Sequence, residues 1–204
     1  MLQQTHEDWD PDWIEGSFTG VLRCPAKGCG EDVLLVGRMK VDFGVERGIQ
    51  YEEFYQLQFA FPALHLVNIP ESCPDSVGLQ LKQASAVLWS DPGAAATRLR
   101  FAIEELMVAQ GIPGGVGQAN SLHNRIEAYR ATHAAAAQSL LAVKWIGNQG
   151  THTASLSVSD VLDGVELLEH ALNQIYVHPQ LDARAQQVNA QRGLSRGGSA
   201  PDPS

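Results

Sequence analysis

The sequence lacks several features that would narrow its function at once. It has no apolar run approaching the roughly 18 residues that a membrane-spanning helix needs, and its polar, acidic N-terminus is unlike a signal peptide. Its three cysteines are an odd number at irregular spacing, which does not fit a disulfide framework. We therefore expect a cytoplasmic protein with no membrane partner.

Basic residues are also scarce. The 204-residue chain has 14 Lys and Arg against 23 Asp and Glu, which gives a formal net charge of −9. A broad nucleic-acid surface needs clustered Lys and Arg, so this balance argues against one while remaining compatible with a local cationic pocket. Hydrophobic residues make up 44% of the chain, which is ample for a buried core.

Familiar catalytic motifs are absent as well. The chain has no Gly-x-Ser-x-Gly turn between a predicted strand and a predicted helix, which is the setting in which this motif presents a nucleophilic serine. The glycine-rich segment 111–117 resembles a phosphate loop only in composition, because it lacks the Gly-Lys-Ser/Thr ending and follows a predicted helix rather than a strand. We interpret this segment as a flexible linker.

The order of patterns predicts a mainly α fold behind a small β element. Residues 17–73 make up this β element. Within it, alternating polar and apolar residues predict two strands around the turn CPAKGCG, and the aromatic stretch that follows the second strand should anchor the element to the rest of the chain. Residues 74–179 carry helical apolar stripes and short loops, which predicts an antiparallel bundle of about five helices. Ser121 and the Ser157–Asp160 capping box mark two of the helix starts.

The two ends of the chain have a different character. Residues 1–16 form an acidic arm with interleaved tryptophans, and this arm either covers an apolar seam of the same chain or binds a protein partner. Residues 180–204 lack an apolar stripe and are expected to be disordered, with Pro179 ending the last helix.

The stretch LLAVKWIGNQGTH, residues 140–152, carries the strongest hint of chemistry. Its first half is typical of a buried helix, but Gly147 and Gly150 each cost about 1 kcal/mol relative to alanine in a helix interior. They therefore indicate close packing, a bend or a site. If the helix continues through them, one face presents three polar residues one turn apart. These residues are Lys144, Asn148 and His152, with Trp145 beside them.

Arg100 and Glu104 stand one turn apart on the second predicted helix and flank its apolar stripe. They are either a surface ion pair contributing roughly 0.3–0.5 kcal/mol or a pair that points into a groove shared with Asn148 and His152. His123 and the other isolated histidines of the helical region have no partner spacing, so we expect them to be structural or surface residues.

The cysteines suggest a structural zinc site. Cys24 and Cys29 flank a tight, glycine-containing turn, which can direct two thiolates at one ion. A structural site needs four ligands, and Cys73 and His65 are the candidates for the other two. The alternative is that the cysteines are small buried residues of a degenerate ribbon. No other cofactor is expected.

Three motifs on successive predicted helices, RLRFAIEEL, LHNRI and AVKWIGNQGTH, resemble a known group. They are similar to the HEPN-like helical domains, specifically to an uncharacterised bacterial branch catalogued as a domain of unknown function. In that branch an Arg-x-x-x-Glu pair precedes a Gly-Asn…His segment. The resemblance covers roughly residues 74–177 and implies a homodimer. The matching positions are Arg100, Glu104, Gly147, Asn148 and His152.

Ribonucleases of the wider HEPN superfamily carry Arg, a polar residue, a few variable positions and then His. Two such helices in a dimer form a metal-independent RNA-cleaving site. The resemblance implies that His152 acts as general acid or base on a ribose hydroxyl while Asn148 orients the phosphate. Gly147 stands where that motif has arginine, and Lys144 could supply only a point charge one turn earlier.

Three functions follow from these observations. The first is a non-catalytic or degenerate HEPN-like module that binds a nucleotide, RNA or a protein partner in a bacterial defence or toxin-type system, with Arg100, Glu104 and Trp145 as binding residues. The second is a metal-independent endoribonuclease using Lys144, Asn148 and His152. The third is a structural adaptor without a ligand. The missing arginine and the acidic charge favour the first.

Overall fold

A computed structural model describes residues 14–42, 52–115, 117, 121–152 and 156–191 of the chain. Within these ranges a small antiparallel sheet is followed by a larger helical region. The strands are β1 (Glu15–Arg23), β2 (Asp32–Asp42) and β3 (Glu52–Phe61). The helices are α1 (Asp75–Val87), α2 (Pro92–Ala109), α3 (Leu122–Arg130), α4 (Ala134–His152), α5 (Val158–Leu172), a π-helical turn (Asn173–Val177) and α6 (His178–Ala190).

The first two strands form the predicted hairpin. β1 pairs antiparallel with β2, and Arg23 at its end donates two hydrogen bonds, of 2.7 and 2.8 Å, to the carboxylate of Asp32. In the connecting turn Gly28 and Gly30 have φ values of 86° and 64°. Residues with a Cβ rarely adopt this left-handed conformation, so the two glycines allow the chain to reverse here.

The aromatic stretch that was expected to anchor the sheet forms a third strand instead. β3 pairs with β2, so the sheet order is β1-β2-β3. Its alternation leaves Phe54 and Phe61 44% and 65% exposed, and the anchoring prediction is therefore wrong for these rings. The contact with the helices is made later, by Leu66, Val67 and Ile69, which pack against the helical core.

The helical region holds the hydrophobic core. The apolar stripe predicted for α1 is buried, and so are the matching stripes of α2, α4 and α5. Fully burying each large apolar side chain stabilises the fold by about 1.5–3 kcal/mol. α2 packs against both α1 and α4, and α5 packs against α4, so α2 and α4 form the centre. None of the described helices is long and apolar enough to cross a membrane.

Both predicted helix starts are confirmed. The hydroxyl of Ser121 accepts a hydrogen bond of 3.3 Å from the backbone N–H of Asn124 at the start of α3. Ser157 and Asp160 form a complete capping box at the start of α5, because each side chain accepts a hydrogen bond from the other residue's backbone N–H.

The chain does not stop being helical at Pro179. After α5 a π-helical turn carries the chain into α6, and the N–H of His178 donates to the carbonyl of Asn173, five residues earlier. Proline is tolerated in the first turn of a helix, where its missing N–H costs little. The predictions of a helix end at Pro179 and of disorder over residues 180–190 are therefore wrong. Residues 192–204, like residues 1–13 of the acidic arm, lie outside the described part.

Candidate functional site

The helix α4 runs without interruption through Gly147 and Gly150 to His152. The condition for a shared polar face is therefore met, and Lys144 and Asn148 lie one turn apart on it. The side chain of His152 lies outside the described residues, so its predicted role stays a prediction.

At Gly147 the helices α4 and α2 approach each other closely. A Cβ built on this glycine would lie 2.8 Å from the Cβ of Arg100 and 3.0 Å from the carbonyl oxygen of Ala96. Real Cβ atoms do not approach other atoms this closely, so only glycine fits without a shift of the backbone. Close packing thus accounts for this glycine, and it places Arg100 directly against α4.

Arg100 and Glu104 form an ion pair, with 2.9 Å between Nη2 of the arginine and Oε1 of the glutamate. Their side chains are 31% and 34% exposed, so the pair lies partly inside the contact between the helices. The Nε of Arg100 is buried and finds no hydrogen-bond partner among the residues that the structure describes. This burial distinguishes the pair from an ordinary surface ion pair.

Lys144 is the most unusual residue of the cluster. It is only 8% exposed, and its Nζ lies 3.4 Å from the centroid of the Trp145 ring. In the described ranges its ammonium has no ion pair with a carboxylate. Burial first, and the positive charge of Arg100 second, lower its pKa below the usual value. A cation–π contact offsets only part of this desolvation, and a buried lysine ordinarily has an anionic partner.

Trp145 and His123 complete the cluster at the surface. The indole of Trp145 is 56% exposed, and the ring of His123 on α3 lies 6.2 Å away, centroid to centroid. Sequence spacing gave no reason to connect His123 with α4, because the contact joins two different helices. Nδ1 of His123 is buried and has no hydrogen-bond partner in the described part of the chain.

Arg125 on α3 is also buried, and its guanidinium binds backbone carbonyls. It donates hydrogen bonds of 2.9 and 3.1 Å to the carbonyl oxygens of Ile112 and Glu104. Arg125 therefore links the first residues of the segment after α2 to α2 itself, although the sequence led us to interpret this segment as a flexible linker. Arg125 supports the site without offering a charge to a ligand.

The predicted zinc ligands do not form one cluster. Cys73 belongs to the helical core, and burial raises the pKa of its thiol to about 11. Cys24 and His65 line one cavity of about 380 Å³ at the end of the sheet, and Cys29 lies exposed in the turn. A search of the described residues finds no group of three or more His, Cys, Asp or Glu arranged to hold a metal ion.

Comparisons with known proteins divide the chain as the structure does. A family model described as Domain of unknown function (DUF8608) matches residues 1–61, which end with the last residue of β3. A second model, Domain of unknown function (DUF4145), matches residues 82–191, from within α1 to the end of α6, including the whole Arg100–Lys144 cluster. No curated protein and no solved structure matches the chain significantly. Because the second match covers more than half of the chain, the protein belongs to the family described as Domain of unknown function (DUF4145).

Proposed function

We propose that the chain is a HEPN-like module that binds a nucleotide or single-stranded RNA at the contact of α2 and α4 without cleaving it. The observation that carries this proposal is Lys144, a residue only 8% exposed whose ammonium has no ion pair with a carboxylate among the described residues. Partly desolvating an unpaired charge costs stability, and a bound phosphate would supply a partner for it.

The neighbours of Lys144 fit the same ligand. Lys144 and Arg100 carry two positive charges against the single carboxylate of Glu104, so the site is locally positive in a chain of net charge −9. The half-exposed indole of Trp145 offers a surface on which a base could stack, worth about 1–3 kcal/mol. A cation beside an aromatic ring suits a ligand that has a phosphate beside a base.

The packing around Gly147 supports binding without cleavage. The arginine of the ribonuclease motif would need a side chain at this position, and its Cβ alone would collide with Arg100 and Ala96. The motif therefore cannot be restored here without moving α2 away from α4.

A metal-independent endoribonuclease is the second candidate, and one observation favours it. Arg100 lies against position 147, so its guanidinium could replace the motif's arginine from the neighbouring helix. Lys144, Asn148 and His152 would then act as the resemblance implies. The third candidate, a structural adaptor, is supported by the close packing at Gly147 but does not explain why the ammonium of Lys144 has no carboxylate partner in the part of the chain that the structure describes. Homodimerisation and a role in a bacterial defence or toxin-type system are proposed from the resemblance alone.

An RNA-incubation experiment separates the first two candidates. The wild type and a His152→Ala variant are each incubated with end-labelled single-stranded RNA and the products are resolved on a denaturing gel. The binding module leaves the RNA intact in both reactions while an electrophoretic mobility shift shows that it is bound. Cleavage that disappears in the His152→Ala variant would replace the proposal with the endoribonuclease, and intact RNA that is never bound would favour the adaptor.

A further inference from the structure

We propose that the exposed face of the β-sheet is the surface through which two copies of this chain associate. Two neighbouring rows of residues cross the three strands on this face. The rows are Thr19–Val36–Phe59 and Val21–Leu34–Phe61, and we call these six residues the apolar patch. This inference is independent of the ligand site between α2 and α4.

The apolar patch is unusually open for its composition. Residues that lie directly opposite each other in an antiparallel sheet point to the same face. On this face Val21 is 62% exposed, Leu34 47%, Phe59 48% and Phe61 65%. A contiguous apolar surface of this kind on a soluble domain marks an interaction site.

The sheet also has little else to stabilise it. None of its residues belongs to the helical core, and β3 alone makes more than isolated contacts with a described helix, α1. The three cysteines are free, and no metal cluster is found in the described ranges. Modules this small usually need a disulfide, a metal or a partner subunit to complete their core. Association through the apolar patch would bury these side chains and so complete the core of the sheet.

The charges around the patch point to a second copy rather than to RNA. The patch contains no ionisable side chain, so it offers no cation to a phosphate backbone. For the same reason, no like charges would face each other across the patch when two chains associate, although each chain carries a net charge of −9. A protein surface of the same composition is therefore the partner that fits.

The central strand is complementary to itself. Two copies packed face to face, with β2 antiparallel on β2 and the two-fold axis at Leu35, would place Leu34 of each copy over Val36 of the other. The same arrangement sets the exposed Arg38 of each copy against the Asp32 carboxylate of the second copy, which that copy's Arg23 also binds, at both ends of the patch. Arg38 has no ion pair within the described part of its own chain, so this contact would provide one.

The size of the face predicts a weak dimer. Three strands of about ten residues present a face roughly 30 Å long and 14 Å wide, or about 400 Å² per copy. Two such faces bury about 800 Å² in total, which is less than the roughly 1,000 Å² of a stable specific interface and fits a weak one, so the association should depend on concentration in the micromolar range.

Sedimentation velocity on the full chain over a concentration series tests the proposal. The variant Leu34→Glu places a charge in the patch, and Leu181→Glu is the matched control, since Leu181 is an exposed leucine of α6. We expect the wild type and the control to dimerise alike, while Leu34→Glu weakens the dimer at least tenfold with an unchanged circular dichroism spectrum. Arg38→Glu should weaken it less, and most at low salt.

Four results would overturn this inference. A wild type that stays monomeric throughout the series removes it, and so does a dimer that survives Leu34→Glu. A chain lacking residues 1–13 that dimerises where the wild type does not would show that the acidic arm covers the face. Loss of RNA binding in Leu34→Glu with an unchanged oligomeric state would assign the face to RNA.

Discussion

Gly147 and Arg100 are packed so closely that the glycine leaves no space for a side chain: a Cβ at position 147 would lie 2.8 Å from the Cβ of Arg100. This contact brings α2 against α4, and it holds a guanidinium near the ammonium of Lys144. Two positive side chains from different helices thereby share one site, and the lowered pKa of Lys144 reflects its burial first and the charge of Arg100 second.

Gly147→Ala should destabilise the fold even though alanine is the better helix former. Overpacking costs about 1–3 kcal/mol, which exceeds the gain of about 1 kcal/mol from helix propensity. We expect a net loss of up to about 2 kcal/mol in the free energy of unfolding measured with urea. Gly78→Ala on α1 is the control. The new Cβ would meet only Ile69, at 3.8 Å, so this variant should be more stable than the wild type. Equal stabilisation by both substitutions would contradict the close contact.

Lys144→Met should stabilise the protein while removing ligand binding. Methionine keeps the apolar stem and removes a partly desolvated charge that has no ion pair among the described residues, which should raise the free energy of unfolding by up to about 1 kcal/mol. A residue kept at a cost to stability is typical of a functional site. Thermal melts near neutral pH provide the measurement, and a melting temperature below that of the wild type would argue for a structural lysine.

The same pair of proteins should differ in their dependence on alkaline pH. The folded-state pKa of Lys144 lies below its ordinary value of 10.5, so between those two values the unfolded chain binds more protons than the folded one. The wild type should therefore gain stability with rising pH in this window, relative to Lys144→Met. The pKa of Cys73 is about 11 in the folded protein, above its ordinary 9.0, so Cys73 lowers the stability of both proteins as the pH rises through this window. The difference in stability between the two proteins therefore reports on Lys144 alone. A difference that does not change with pH would contradict the lowered pKa.

Trp145→Ala should weaken RNA binding by roughly tenfold, because base stacking on an aromatic ring contributes about 1–3 kcal/mol. The ring is 56% exposed, so stability should change by no more than about 0.5 kcal/mol. Leu181→Ala removes an equally exposed apolar side chain from α6 and should leave binding unchanged. If both substitutions weaken binding alike, Trp145 has no specific role.

The cysteines should separate into two classes on alkylation. Cys29 is exposed and Cys24 partly so, whereas Cys73 is buried with a raised pKa. We expect iodoacetamide at pH 7.5 to modify Cys24 and Cys29 in the native protein and Cys73 only after unfolding, as followed by mass spectrometry. Protection of Cys24 and Cys29 that is lost on adding a chelator would instead demonstrate the predicted zinc.

The sequence predicts the helices well because their signals are local. The stripe through Val77 and Leu81 repeats every three or four residues, and Ser157 with Asp160 caps its helix within one turn. The errors arise where a local rule meets a neighbouring element. The aromatics of β3 pair with β2 rather than with the helices, and Pro179 fits into the start of α6 after the π-helical turn.

The features of the candidate site also divide into those that spacing within one helix predicts and those that depend on contacts between helices. Lys144 and Asn148 share a helix, so their common face follows from spacing alone. The contact of Arg100 with Gly147 depends on which helices pack together, and spacing within one helix does not contain that information. His123 was assigned no partner for the same reason, although its ring lies near Trp145.

The most direct test of the proposed ligand site is a fluorescence anisotropy titration of labelled single-stranded RNA with the wild type and Lys144→Met. Lys82→Met, which removes an exposed lysine from α1, controls for the change in net charge. A ligand site at Lys144 predicts saturable binding by the wild type and the Lys82→Met control, and a loss of at least tenfold in affinity for Lys144→Met. Equal affinities for all three proteins would contradict it.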